Sequence, residues 1–64
     1  MRKIIDWGTM VRATEQAVKN GVLKSTDIGI VLGHYNGYLL RVVKFGQVTV
    51  RTYAPEFWEP MEVH

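Results

Sequence analysis

The side chains best suited to chemistry in this chain are few. Catalysis needs a nucleophile with a base, a carboxylate pair with separated pKa values, or an open metal site. The chain has two histidines and no cysteine. His34 precedes a Tyr-Asn-Gly stretch, and one side chain alone makes no catalytic set. It reads as a structural or solvent-exposed residue. His64 is the terminal residue, and a site built on both histidines would need a carboxylate that no spacing supplies. Glu56, Glu59 and Glu62 recur every three residues, so one helical turn would align them as a cation site. Pro60 interrupts that helix, which leaves an acidic, solvated rim. Gly29, Gly33, Gly37 and Gly46 are spaced by strand and turn geometry and do not form a phosphate-cradling loop opening a helix. The reading is of a protein that is not an enzyme and has no metal or cofactor.

Recognition chemistry is better represented. Tyr35, Tyr38 and Tyr53 stand near Lys44 and Arg51 in a region of alternating side chains. Tyrosines beside cations can stack single-stranded bases, each worth about 1–3 kcal/mol. They also anchor protein interfaces, where Tyr, Trp and Arg dominate the binding energy. Trp7 and Trp58 read as core residues or plugs at the end of the fold.

These side chains need strands to position them. "HYNGYL" places Asn36-Gly37 between apolar runs, the strongest short hairpin signal, because both residues tolerate the positive φ of a tight turn. "FGQV" supplies a second reversal at Gly46-Gln47. Two-residue loops at both give a meander over 28–35, 38–45 and 48–53. Tyr35 then faces Tyr38, Leu32 faces Arg41, Ile30 faces Val43, and Ile28 faces Phe45. Phe45 in turn faces Val48, Val43 faces Val50, and Arg41 faces Thr52. One face collects Ile28, Ile30, Leu32, Leu39, Val43, Phe45, Val48 and Val50 and is the expected core. The other collects Val31, Tyr35, Tyr38, Leu40, Val42, Lys44, Arg51 and Tyr53, with Gly29 and Gly33, where a second backbone can approach. That second face is the expected partner-binding surface, unless Trp58 or residues 14–26 fold across it and leave these side chains as a rim.

Residues 9–13, "TMVRA", alternate like a first strand. Thr14 is suited to cap a short helix over 15–19 that Asn20-Gly21 ends. Ala54-Pro55 stops the third strand of the meander. "EFWEPMEV" then offers a short turn carrying Phe57 and Trp58 and a last strand at 61–63. A strand, a long loop, a three-stranded meander, a tight turn and a final strand specify a mainly β, five-stranded small barrel in one domain, residues 1–64.

Sixty-four residues, 47% hydrophobic and 22% charged, are enough for one core and no more. Without cysteine there is no disulfide bracing, and a reducing compartment is compatible. No apolar run approaches the roughly 18–20 residues that span a bilayer, and "MRKIIDWGTM" lacks the apolar length of a secretory signal. A cytoplasmic location and no membrane partner are expected. Net charge is +2, with all eight Lys and Arg within residues 1–55 and Glu56, Glu59 and Glu62 in the last nine residues. A basic body with an acidic tail can favour an anionic partner.

The chain resembles the SH3-like small barrels of prokaryotic and organellar proteins. The resemblance lies in "GTMVRAT" as first strand, "DIGIVLGHYNGYLLRVVKF" as middle hairpin and "EFWEPMEV" as closing turn and strand, and covers residues 8–63. It is similar to the ferredoxin–thioredoxin reductase variable chain and to the photosystem I subunit of the same barrel type, in which a Gly–Val strand leads to a "VVRF"-like strand, here Val42, Val43, Lys44 and Phe45. Similar patterns occur in KOW-type modules and in short phage proteins. The resemblance implies a docking or bracing subunit without a cofactor of its own, or a module binding RNA or protein. The short "YAPEF" replaces the long insertion of the photosynthetic families, and none of their functional residues is carried over. Two functions follow as expectations. One is a protein-binding module, an accessory factor of the phage-encoded kind that modulates a host machine, with a homodimer through the same face as a variant. The other is a nucleic-acid-binding barrel using Arg12, Lys24, Arg41, Lys44 and Arg51.

Overall fold

The computed structural model describes residues 7–61. The chain runs β1 (Met10–Ala13), α1 (Glu15–Lys19), β2 (Ile28–Tyr35), β3 (Leu39–Lys44), β4 (Val50–Tyr53), a 3-10 turn (Pro55–Phe57) and β5 (Trp58–Pro60). It is mainly β, with five antiparallel strands in one sheet in the order β4-β3-β2-β1-β5. The sheet is not closed by hydrogen bonds between β4 and β5. Its two edge strands nevertheless meet through side chains: the rings of Tyr53 and Trp58 pack edge to face, 5.3 Å apart at 86°. Rolling of the sheet toward one face brings them together.

Both reversals form, and each differs from a two-residue loop. Asn36 (φ 53°) and Gly37 (φ 81°) take the left-handed conformations that an Asn-Gly turn requires. The ladder closes at Tyr35↔Leu39, not Tyr35↔Tyr38. The register Ile30↔Val43 holds on one side of Leu32 and shifts by one residue on the other, where Gly33 pairs with Arg41, so a bulge sits at Leu32. At the second reversal the Gln47 N–H donates to Lys44 O (3.0 Å) around Gly46 (φ 86°). Residues 47–49 then run without regular structure, so Phe45 does not face Val48, while Val43↔Val50 and Arg41↔Thr52 pair as expected.

The interior lies on the face opposite to the one expected. Val11, Ala17, Leu23, Val31, Leu40, Val42 and Trp58 form the core. Ile28, Ile30, Leu39, Val43 and Val50 point to the other side and are half-buried, and Leu32, Phe45 and Val48 are exposed. The reason is the covering layer. α1, Leu23 and the Pro55–Phe57 turn all lie over the Val31–Val42 side, and no helix or turn among the described residues forms a layer on the other. At Gly29 the neighbouring strand leaves no room for a side chain, since a Cβ there would stand 2.6 Å from Val42 Cγ1 and 2.9 Å from Val43 O. Gly33, by contrast, has no neighbour within 4 Å of where its Cβ would be.

The helix forms where its cap predicts. Thr14 Oγ1 accepts from the Ala17 N–H (3.2 Å), and Asn20 caps the other end. The same hydroxyl donates to Glu56 O (2.8 Å), and the Thr14 N–H donates to Phe57 O (3.1 Å). One threonine therefore starts α1 and fastens it to the 3-10 turn. The last strand begins at Trp58, three residues earlier than expected, and the Met61 N–H still donates to Met10 O (2.9 Å). The expected continuation to Val63, with Glu62 and His64, lies outside the described residues.

Candidate functional site

Three of the expected contact residues share a cleft. Register places Arg51 beside Val42 and Tyr53 beside Leu40 on the inner face, and Lys44 follows Val42 at the end of β3. Lys44, Arg51 and Tyr53 therefore border the core on its own face. With Val22, Gln47, Thr52, Ala54 and Phe57 they line a cleft of about 600 Å³. Each wall has a local cause. Val22 follows the Gly21 stop of α1, whose φ of 73° turns the chain back over the sheet. Phe57 is set by Pro55, which ends β4 and opens the 3-10 turn.

The charge of the cleft is positive. Lys44 Nζ lies 3.8 Å from Asp27 Oδ2, at the long limit of an ion pair, with both side chains about four-fifths buried. The Asp27 carboxylate is itself held by the Lys24 N–H at 2.8 Å. Arg51 is exposed and has no carboxylate partner among the described residues. Two cations thus face one acid. Burial raises the pKa of the Tyr53 phenol, the Arg51 charge opposes that shift and Asp27 adds to it. The neutral hydroxyl is the form that the cleft presents. Beneath it, Trp58 Nε1–H is buried with no hydrogen-bond acceptor among the described residues.

The other expected contact residues fall elsewhere. Val31, Leu40 and Val42 are core residues at 0–2% exposure, so they are not a surface for any partner. Trp58 and α1 cover them, and Lys44, Arg51 and Tyr53 are the rim that remains. Tyr35 and Tyr38 are exposed at the far tip of the β2–β3 hairpin. The Leu32 bulge turns Tyr35 to the outer face beside Leu39, so the three tyrosines do not form one stacking platform. Of the two tryptophans, Trp58 is the interior one and Trp7 is 73% exposed.

A second surface is the outer face of the sheet. Met10 pairs with Ile30, Ile30 with Val43 and Val43 with Val50, so one apolar row crosses four strands. Phe45 (60% exposed) and Val48 (95%) extend it beyond the end of the sheet. Arg12 and Glu59 flank it as an ion pair of 3.0 Å, and Arg41 and Thr52 flank it on the other side. Glu59 thus pairs with a cation on the adjacent strand. No group of three or more metal-ligating residues exists among the described residues. No helix among them is long and apolar enough to cross a membrane.

Sequence reasoning did not single out Val22, Gln47 or Phe57 for the cleft, or Met10 for the outer row. The signal for Val22 was present in "NGVLK", where two adjacent apolar residues after a helix stop must point to different surroundings. Compared with protein-family models, curated proteins and solved structures, the chain matches none.

Proposed function

We propose that this chain is a non-catalytic SH3-like binding module that docks a protein partner through the outer face of its sheet. The observation that carries this reading is the Met10–Ile30–Val43–Val50 row, apolar across four strands and prolonged by exposed Phe45 and Val48. A contiguous apolar patch of this kind costs solubility and is typical of interaction sites. The flanking Arg12–Glu59 pair and Arg41 form a polar rim around it. The cations also favour a protein over a nucleic acid. Arg12 and Arg41 lie on the outer face, and Lys44 and Arg51 line the cleft on the inner one. A backbone-tracking groove needs its cations along one path.

Affinity capture with the wild-type chain and with a Phe45→Ser, Val48→Ser variant tests this. Both positions are exposed, so the variant keeps its fold by circular dichroism and loses the captured protein. Capture of the same protein by both would remove the outer face as the contact. Capture that vanishes on nuclease treatment would replace a protein partner by a nucleic acid. Sedimentation of the purified chain separates self-association from a need for a foreign partner.

A further inference from the structure

We propose that the free edge of β4 is a strand-addition site for an extended acidic peptide, with the peptide backbone pairing along Val50–Tyr53 and its carboxylate reaching Arg51 and Lys44. This surface is distinct from the apolar outer face. Two independent observations meet there.

The first is the edge. β4 ends the sheet order, so one side of its backbone pairs with β3 and the other faces no strand among the described residues. Such an edge presents N–H and C=O groups in register for an added strand. Residues 47–49, which precede β4, have no regular structure that would cap it.

The second is the cleft. It touches Arg51, Thr52, Tyr53 and Ala54 in succession. Successive strand residues point to opposite faces. A cavity that meets all four follows the length of β4 and is not confined to its inner face, so it reaches the side on which an added strand would lie. Its chemistry selects the strand. Lys44 and Arg51 outnumber the single nearby acid, Asp27, which already serves Lys44. Val22, Ala54 and Phe57 supply an apolar wall past Tyr53. Side chains at i and i+2 of the added strand share a face and lie about 6.6–7 Å apart, the same spacing as Arg51 and Tyr53. The recognised pattern is thus an acid opposite Arg51 and an apolar residue two positions away against Tyr53 and Phe57. Arg51 alone could instead be an edge charge that repels unwanted pairing. That role predicts no binding.

The test is an amide-resolved NMR titration of the full chain with acetyl-Thr-Glu-Thr-Phe-Thr-amide. The same peptide with Gln for Glu, and free N-acetylglutamate, serve as probes of charge and of backbone. Expected are shifts at residues 44 and 50–54, slowed exchange of β4 amides, and affinity that falls with salt. The Gln peptide, and the Arg51→Gln chain with the Glu peptide, should each bind about three- to fivefold more weakly, as for an exposed ion pair. An Arg41→Gln chain should bind as wild type does. Equal binding of the Glu and Gln peptides, or no shifts at millimolar peptide, overturns the proposal. N-acetylglutamate matching the peptide would reduce the site to an anion contact and overturn strand addition. Shifts centred on Met10, Ile30 and Val43 would move the peptide to the outer face, sinking this site while leaving the proposed docking surface intact.

Discussion

Gly29 and Tyr53 show how single residues set the inner face. At Gly29 the obstacle to a side chain is partly backbone, Val43 O at 2.9 Å, so a rotamer change of Val42 does not relieve it. Gly29→Ala should destabilise the fold by about 1–3 kcal/mol, as overpacking does. The chain is small, so each kcal/mol lowers the melting temperature by roughly 4–8 °C, which calorimetry resolves. An unchanged melting temperature would mean that β3 yields freely. The sequence showed that a backbone could come close at Gly29, but it offered Gly33 equally, and only the placement of Val42 separates them. Tyr53 carries a pH dependence whose sign follows from its surroundings. Burial favours the neutral phenol, so its folded pKa lies above the unfolded one. The stability this supplies is complete below about pH 10, the unfolded value, and is lost as pH rises through the folded pKa. Absorbance at 295 nm, wild type minus Tyr53→Phe, isolates this titration. Arg51→Gln should move it further up and Asp27→Asn should move it down. Movement in the opposite directions would show that these charges do not act on the phenol.

Elements were legible where their ends carry specific chemistry. Asn36-Gly37 and Gly46 marked both reversals, and Thr14 with Asn20-Gly21 bounded α1 to the residue. A helix of five residues has little stability of its own, so its cap and its packing must hold it. Thr14→Ala removes the acceptor for Ala17 N–H and the donor to Glu56 O together. It should cost about 0.5–2 kcal/mol. Hydrogen exchange should quicken at the start of α1 and, through the lost Glu56 contact, in the 3-10 turn as well. Quickening confined to α1 would mean that the bond to Glu56 fastens nothing. The Leu32 bulge had a weaker signal, Gly33 inside the strand, which marks a bulge as readily as a close backbone approach. The register shift puts Tyr35 with Leu39 and takes it away from Tyr53. The expected tyrosine cluster failed at that one residue. Lys44, Arg51 and Tyr53 lie on the β3–β4 ladder, which carries no register shift, and they do come together.

At the scale of the whole molecule, the question left open by the sequence is which face of the meander is inside. Both faces read as apolar: Ile28, Ile30, Val43 and Val50 on one, Val31, Leu40 and Val42 on the other. Counting apolar residues favours the first, and the fold buries the second. What decides is the position of the material that can cover a face. Ala17 comes from α1, Leu23 from the loop after it and Trp58 from the start of β5, and all three pack against Val31, Leu40 and Val42. A chain of this length buries a limited share of its surface, and among the described residues the covering segments all lie over the smaller apolar face. Two chemically identical truncations separate the alternatives. Val31 is 0% exposed and Val48 is 95% exposed. Val31→Ala should cost on the order of 2 kcal/mol, from two lost methyl groups plus the cavity they leave. Val48→Ala should leave the isolated chain within about 0.5 kcal/mol of wild type. Denaturant unfolding of the two variants measures both values. If Val48→Ala lowered the midpoint as much as Val31→Ala at every protein concentration, the outer face would be packed against the chain itself. A Val48→Ala loss that appears only as concentration rises would instead show a second copy seated on that face.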